Sequence, residues 1–481
     1  MINLRIILFF LGILIVSLGL AMLLPLVIEI NSDGVSKNNF LISIFLSLFV
    51  GITLILAFRK EEKKMNVKDT ILITILSWPA MIVFSSLPFY LDHNTNSYID
   101  SIFEATSGLT TTGATIYKNT ELLSSGILIW RALLQWLGGL GIIIFAIAII
   151  PIFNIGGIRL FTQDWSEKPK DLHYRSKEIG KLLGSIYILF TLFIFILLYL
   201  SGLNFFDAFC HSLTTIATGG FSTKSSSIGY YNNIFTELTI VMGMLLASLP
   251  FTLYISCFRK NFSIFSDSQV LLFFSLIILF VLAIAVWLHI ENNINILLAL
   301  RLSLFNSVSV MTGTGFSTEN FSNWGYFSNT VFILMMLIGG CSGSTTGGLK
   351  IFRIQVLWAI VIKELKRIKS PRAISSVNFK RINIDDSIIN SVMIIFFCFL
   401  ISIFFISSIF MYYEYDFITS ISAAFTSISV VGPGLGNIIG PEGSFAEIPS
   451  LLKLLLSAGM ILGRLEFLAF LIILVPRFWA K

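Results

Sequence analysis

Four times along this chain, a long apolar segment is followed by a short segment rich in Ser, Thr and Gly and then by a second long apolar segment. The first long segments begin near residues 70, 181, 270 and 387, and the second near 127, 234, 330 and 451. The short segments cover 97–117, 204–223, 296–318 and 415–436. A bilayer crossing needs about 20 predominantly apolar residues, which the long segments supply and the short ones do not. The pattern predicts four units of span, re-entrant loop and span.

The composition agrees with a location in a membrane. Of 481 residues, 56% are hydrophobic and 12% are charged, about half the charged fraction of a typical soluble domain. The cysteines Cys210, Cys257, Cys341 and Cys398 lie far apart, and no HExxH, GxSxG or Walker A pattern occurs. We therefore expect a membrane protein that is not an enzyme and has no bound cofactor.

Two further apolar segments, 6–30 and 40–58, precede the first unit and predict a helical hairpin. Ten or more bilayer crossings fit this length of apolar chain. We predict an all-α polytopic membrane protein, in which an N-terminal two-helix hairpin is followed by four pore units around a central pore. The predicted boundaries are 1–66 for the hairpin and 67–160, 161–262, 263–375 and 376–481 for pore units 1 to 4, with a broken second span in unit 3.

Basic residues gather in alternate loops and indicate the orientation in the membrane. Cytoplasmic loops carry an excess of Lys and Arg, so these loops and both termini are predicted to face the cytoplasm. Each cluster adjoins a span, which argues against nucleic-acid binding. The clusters are Arg59, Lys60, Lys63, Lys64 and Lys68; Arg159, Lys168, Lys170, Arg175 and Lys177; Arg259 and Lys260; and Lys363, Lys366, Arg367, Lys369, Arg372, Lys380 and Arg381.

Glycines recur at matching places in the short segments. Three segments hold a glycine ten residues after a phenylalanine, in the pairs Phe103 and Gly113, Phe209 and Gly219, and Phe305 and Gly315. In the fourth segment Ala424 occupies that place, and we pair Gly434 with the other three glycines. The predicted ion-coordinating residues surround these glycines: Thr111, Thr112, Gly113 and Ala114; Ala217, Thr218, Gly219 and Gly220; Gly313, Thr314, Gly315 and Phe316; and Gly432, Pro433, Gly434 and Leu435.

Such segments suit a path for a cation. An ion that leaves water needs oxygen atoms in place of its hydration shell, and selectivity filters supply them as rings of backbone carbonyls. Glycine reaches backbone conformations that other residues resist. Irregular backbone is tolerated at membrane depth only where it is buried in protein or lines a water-filled path. The alternative, that the small residues serve only close helix packing, explains four matched segments less well.

One second span contains a break. Residues 338–350 interrupt it with five glycines, two serines and two threonines, and a helix is unstable through that composition. Broken helices at membrane depth mark ion or substrate paths, although a glycine-rich helix crossing is the alternative. The candidate gate residues are Gly339, Gly340, Gly343, Ser344, Thr345, Thr346, Gly347, Gly348 and Arg464.

Arg464 is predicted near the centre of the last span, 451–475. An arginine at that depth is costly and usually faces a cavity or an acidic partner. A buried ion pair without a part in transport is the alternative. Glu466, two residues on, does not share its helix face.

Four acidic residues lie at or near the starts of the short segments: Asp100, Glu104, Asp207 and Asp416. They either raise the local cation concentration or stabilise helix N-termini. We do not predict them as ion ligands.

The motifs resemble those of the TrkH family, within the Trk/Ktr/HKT superfamily of bacterial, fungal and plant potassium transporters. The resemblance covers nearly the whole chain, including the N-terminal hairpin. It rests on LTTTGAT (109–115), WLGGLGII (136–143), ATGGFST (217–223), GTGFST (313–318), GGCSGSTTGG (339–348), GPGLG (432–436) and GRLE (463–466).

The resemblance implies potassium uptake across the bacterial inner membrane, with potassium at the filter as the metal ion. It implies that 338–350 is an intramembrane gate loop, that Arg464 lies in the pore below the filter, and that Pro433 replaces a threonine and lowers the symmetry. Serine at the position of Gly113 accompanies sodium preference in this family, so glycine favours potassium. A homodimer and a cytosolic nucleotide-binding TrkA-like ring are the implied protein partners. A secondary symporter that couples potassium to protons or sodium remains the alternative.

Overall fold

The computed structural model describes residues 2–32, 34–59, 66–95, 97–148, 172–258, 266–370, 378–379, 382–384 and 386–479. Helices dominate, and the strands in these ranges are a two-residue antiparallel pair, Asn378–Phe379 with Ile382–Asn383. The prediction of an all-α membrane fold is confirmed. Many of the basic loop residues, among them Lys60, Lys63, Lys64, Arg159, Lys168, Lys170, Arg259, Lys260, Arg372, Lys380 and Arg381, lie outside the described residues.

Three helices form the N-terminal hairpin: Leu4–Ala21, Leu23–Asn31 and Lys37–Phe58. The first and third approach closely at Gly12 and Gly51, where a Cβ atom on Gly12 would lie 2.9 Å from the Gly51 carbonyl oxygen. Small residues at such a crossing let two helix backbones come together.

Each of the four units begins with a long apolar helix. These first spans are Val67–Ser85 (continued by Leu87–Tyr90), Leu172–Leu200, Ser268–Glu291 and Asp386–Tyr412. One hydrophobic core joins the hairpin with units 1 and 4, and a second joins units 2 and 3.

A short helix follows each first span, and we call these four the pore helices. They are Tyr98–Leu109, Phe205–Ile216, Ile296–Met311 and Phe417–Ser429. With at most 16 residues, each is about 24 Å long or less and does not span a hydrocarbon core of about 30 Å. Each starts at a polar N-cap whose side chain accepts a backbone amide: Ser97, Asn204, Asn295 and Asp416. Short 3-10 turns follow the pore segments at Thr120–Leu122, Ser227–Tyr231, Phe321–Trp324 and Phe445–Glu447.

The second spans are continuous in unit 1 and broken in the other three units. They are Ser125–Ala148; Ile234–Ser248 with Phe251–Phe258; Tyr326–Ile338 with Ile351–Lys369; and Ser450–Arg464 with Leu468–Leu474 and Pro476–Trp479. In the described residues, seven helices are long and apolar enough to cross a membrane, or eight with the bent pair of unit 2. The divided second spans of units 3 and 4 account for the difference from ten.

Two of these breaks differ from the prediction, which placed one in unit 3 alone. In unit 2 the helices on either side of Pro250 meet at 91°, because proline lacks the amide that continues a helix. In unit 4 the helix ends at Arg464, and Glu466 and Phe467 have positive φ. Arg464 therefore lies at the end of a half-helix and not near the centre of a continuous span.

The hairpin is attached to unit 1 by a buried carboxylate. Glu29 is fully buried, and its Oε1 accepts the amide of Gly126, in the first turn of the unit 1 second span, over 2.7 Å. A negative charge is favourable at this end of a helix.

We predict that Glu29→Leu lowers the thermal unfolding temperature of the detergent-solubilised protein. The variant leaves the Gly126 amide without an acceptor, at a cost of about 1–3 kcal/mol. Glu29→Gln keeps the acceptor oxygen and should unfold closer to the wild-type temperature. Equal unfolding temperatures for Glu29→Leu and wild type would show that this contact does not stabilise the hairpin.

Candidate ion pathway

The four pore helices end in the same backbone turn. One residue of each turn lies in the left-handed region, with φ between 50° and 71°: Thr111, Thr218, Gly313 and Val430. The amide of the next residue donates over 2.8–3.1 Å to a carbonyl five residues back: Thr112 to Ser107, Gly219 to Thr214, Thr314 to Ser309 and Val431 to Thr426. A glycine with φ between 76° and 104° follows: Gly113, Gly220, Gly315 and Gly432. Such turns satisfy helix carbonyls and redirect the chain.

We call these four glycines the ring glycines. Each packs against the backbone of a neighbouring unit, and the four contacts together form a closed ring. A Cβ atom on each would lie less than 3.0 Å from the carbonyl oxygen of the residue before the next ring glycine. The pairs are Gly113 with the Gly219 carbonyl, Gly220 with Thr314, Gly315 with Val431, and Gly432 with Thr112. Because the fourth unit contacts the first, the carbonyls of Thr112, Gly219, Thr314 and Val431 form a ring around one axis.

This geometry changes the pairing between units that the sequence suggested. Gly220 and Gly432, not Gly219 and Gly434, correspond to Gly113. A Cβ on Gly434 would meet the Ile439 side chain, away from the ring. In unit 2 the Thr-Gly spacing suggests the wrong glycine, because Gly219 occupies the position that Thr112 and Thr314 occupy in units 1 and 3. In unit 4 the left-handed residue follows the helix directly, without the intervening residue found in the other units.

The realignment also moves Pro433. Val431 stands at the place of Thr112 and Thr314, and Pro433 follows the ring glycine, as Ala114 does in unit 1. All four ring positions are still glycine.

The remaining predicted filter residues differ in whether they reach a shared cavity. The ring glycines, Ala114 and Pro433 line this cavity, which we call the vestibule. The side chains of Ala114, Ala217, Phe316 and Leu435 are buried in the protein, and the amide of Gly434 bonds to the Ile439 carbonyl over 2.7 Å. Polar and charged residues complete the vestibule: Thr115, Lys118, Arg131, Ser222, Lys224, Ser317 and Glu442. Beside it, Lys118 donates to Glu447 over 2.5 Å, which lowers the pKa of that exposed carboxyl.

Hydroxyl groups of the pore helices support the strands from behind. Ser309 Oγ donates to the Phe316 carbonyl over 2.6 Å, and Thr426 Oγ1 donates to the Gly432 carbonyl over 2.8 Å. The serines and threonines of the pore segments therefore serve largely to satisfy irregular backbone.

A buried ion pair of unit 1 lies next to the vestibule, and its arginine also bonds to unit 2. Arg131 Nε donates to Glu104 Oε1 over 2.8 Å, and both side chains are almost fully buried. The guanidinium also donates to Thr115 Oγ1 (3.1 Å) and to the Ser222 carbonyl (3.0 Å), and it lies 4.2 Å from the Phe221 ring centroid. Sequence reasoning missed Arg131, although a lone arginine in an apolar span was a usable signal.

The four acidic residues of the pore segments all have protein partners. Glu104 pairs with Arg131 as above, and Asp100 Oδ1 lies 2.5 Å from Lys453 Nζ. Asp207 Oδ1 accepts Thr223 Oγ1 over 2.6 Å, and Asp416 caps its helix. These contacts favour the interpretation that the acidic residues stabilise the pore segments over the interpretation that they attract cations.

Residues 339–350 form an irregular loop between the ring and the break in unit 2. On one side Cys341 donates its amide to the Ser248 carbonyl over 3.2 Å, and Gly343 accepts the Phe251 amide over 3.0 Å. On the other side Thr345 Oγ1 accepts Thr218 Oγ1 over 3.0 Å. The loop is therefore in direct contact with the turn that precedes the ring.

The Arg464 side chain reaches this loop. It is buried, and Nη1 donates to the Thr345 carbonyl over 2.8 Å, whereas Nε and Nη2 have no hydrogen-bond partner among the described residues. Glu466 instead bonds Lys350 Nζ (2.7 Å) and Arg353 at the far end of the loop. The GRLE motif thus holds both the middle and the end of the loop.

Comparisons with known proteins agree on one family. A family model described as "TrkH: Cation transport protein" matches residues 36–481. The chain is 38% identical to the Trk system potassium uptake protein TrkI of Halomonas elongata, over 85% of this chain and 83% of that protein. It is 32% identical to the Trk system potassium uptake protein TrkH of Escherichia coli K12, over 98% of each. The crystal structure of the potassium transporter TrkH from Vibrio parahaemolyticus superposes with a TM-score of 0.91 at 30% identity, over 99% of this chain and 100% of that one.

We predict that Gly220→Ala lowers the thermal unfolding temperature, because the added methyl collides with the Thr314 carbonyl and strains a left-handed residue. Gly184→Ala is the matched control, since nothing lies within 4 Å of its Cβ position in a helix. It should be neutral or stabilising by up to about 1 kcal/mol. If both variants unfold at the same temperature, the ring does not have the close packing described.

Proposed function

Because this chain belongs to the TrkH family of cation transport proteins, we propose that it mediates potassium uptake through the ring of four backbone carbonyls. The observation that carries this proposal is the closed cycle in which each ring glycine packs on the carbonyl of the next unit. The related Trk proteins are potassium uptake proteins by name. Transport by a multi-pass membrane protein, without enzymatic chemistry, agrees with the family.

The carbonyls of Thr112, Gly219, Thr314 and Val431 are the proposed ligands that replace water around the ion. The pore helices end within a few residues of these carbonyls. The C-terminal end of a helix carries partial negative charge and favours a cation there. Glycine at all four ring positions supports a preference for potassium, since serine in the first unit accompanies sodium preference in this family.

We further propose that residues 339–350 form a gate. The loop contacts the turn of Thr218 on one side and receives the Arg464 guanidinium on the other. A buried positive charge beside the path opposes a cation, so permeation requires the loop and Arg464 to move. The contacts of Glu466 with Lys350 and Arg353 hold the loop in the arrangement described.

The proposed setting is the bacterial inner membrane, with both termini in the cytoplasm. There the membrane potential supplies about 2.3 kcal/mol per charge per 100 mV, which balances about a fiftyfold potassium gradient. A homodimer and a cytosolic TrkA-like ring are proposed as partners from the family resemblance.

Expression of the chain with its TrkA-like partner should restore growth of a potassium-uptake-deficient bacterium at low potassium. Gly113→Asp should abolish the rescue, because its side chain cannot fit against the Gly219 carbonyl. Gly184→Ala should rescue like wild type. Absence of rescue by the wild-type pair, or full rescue by Gly113→Asp, would refute the proposal. A reversal potential that follows proton or sodium gradients would instead identify a symporter.

Removal of residues 344–347 should raise basal potassium flux into liposomes, because the shortened loop no longer reaches Thr218. Arg464→Met removes the charge and keeps the aliphatic part of the side chain, and it should also raise basal potassium flux. Arg301→Met is the control, because Arg301 pairs with Glu237 at a partly exposed site away from the ring. Unchanged flux in the first two variants, per amount of folded protein, would contradict a gating role.

A further inference from the structure

One ring carbonyl is held differently from the other three. Units 1, 3 and 4 place Thr112, Thr314 and Val431 immediately before the ring glycine, whereas unit 2 places Gly219 there. The backbone does not require this glycine, because φ of Gly219 is not positive. The reason lies outside the pore strands: a Cβ atom on Gly219 would lie less than 3.0 Å from the side-chain amide of Gln135.

Gln135 is fully buried in the second span of unit 1. Its Nε2 donates to the Gly219 carbonyl over 2.5 Å, and its Oε1 accepts the Phe221 amide over 3.0 Å. The two bonds therefore hold the backbone on both sides of the ring glycine Gly220. Among the described residues, the other three ring carbonyls accept no hydrogen bond.

The support that Gln135 provides replaces one that unit 2 lacks. In unit 1 the hydroxyls of Thr110 and Thr112 bond to each other over 2.7 Å, and in unit 3 Thr312 and Thr314 do so over 2.8 Å. Units 2 and 4 lack this pair, because the equivalent residues are Ala217 with Gly219 and Ser429 with Val431. In unit 2 the ring carbonyl is bonded by Gln135 instead.

We propose that Gln135 is a positioning residue that fixes the unit 2 ring carbonyl and thereby determines how strongly the ring prefers potassium to sodium. The inference rests on the proposed potassium-conducting function. A carbonyl oxygen has two lone pairs. Because the Gly219 carbonyl accepts a hydrogen bond from Gln135 with one of them, it is a weaker and less movable ligand for the ion. Whether selectivity arises from cavity size or from ligand field strength, a free carbonyl would approach and stabilise the smaller sodium ion better.

The test compares purified full-length variants in planar bilayers, each with the TrkA-like partner added, with potassium on one side and sodium on the other. Gln135→Leu should raise the sodium-to-potassium permeability ratio by about fivefold, the factor that corresponds to one hydrogen bond. Gln355→Leu is the control, because Gln355 donates to the Ser268 carbonyl, away from the ring. Its ratio should match wild type.

A second pair of variants tests the same contact if Gln135→Leu folds poorly. Gly219→Thr alone should lose potassium flux because the new side chain collides with Gln135. Gln135→Ala combined with Gly219→Thr removes the collision, restores the threonine of units 1 and 3, and should recover flux.

The outcomes separate the two proposals. A wild-type protein that passes no potassium with the TrkA-like partner present overturns the proposed function. A wild-type protein that passes potassium, with an unchanged permeability ratio in folded Gln135→Leu, overturns only the role of Gln135. Equal flux for Gly219→Thr with and without Gln135→Ala overturns it as well.

Discussion

The contact between each ring glycine and the carbonyl of the next unit is the constraint on which the rest of the structure depends. Four such contacts must close together, so the four turns must share one conformation although their sequences differ. Irregular backbone at this depth is stable only when protein surrounds it. The short pore helices, their hydroxyl-rich inner faces and the long spans around them supply that surrounding.

Charged side chains join the units around the ring. Asp100 of unit 1 pairs with Lys453 of unit 4. Between units 1 and 2, Arg131 combines its ion pair with a bond to a carbonyl. Removal of one partner from a buried pair leaves an uncompensated charge. The charges that the sequence suggested as ion attractants are thus better understood as contacts that maintain the ring.

The fourfold pattern, the hairpin and the broken span of unit 3 could be predicted from the sequence, because apolar length and glycine content act locally. The register of the ring could not, since Thr-Gly spacing does not reveal which glycine meets a neighbouring carbonyl. The same limit explains Gln135, whose amide lies 84 positions from Gly219 along the chain. The partners of Arg464 and Glu466 could not be predicted either, because they lie in the loop, which is close to these residues only in the folded protein.

The ring and the loop meet in unit 2, and this has a consequence for the proposed gating. Thr218, which begins the unit 2 turn, bonds Thr345, whose carbonyl accepts Arg464. Movement of the loop must therefore break a bond to the residue next to Gly219, the ring member that Gln135 holds from the other side. If Gln135 keeps that carbonyl in place when the Thr218 bond is lost, the ring can stay selective while the path below it opens. Unit 2, like unit 4, lacks the hydroxyl pair of units 1 and 3, and the bond from Gln135 is the external support of its ring carbonyl.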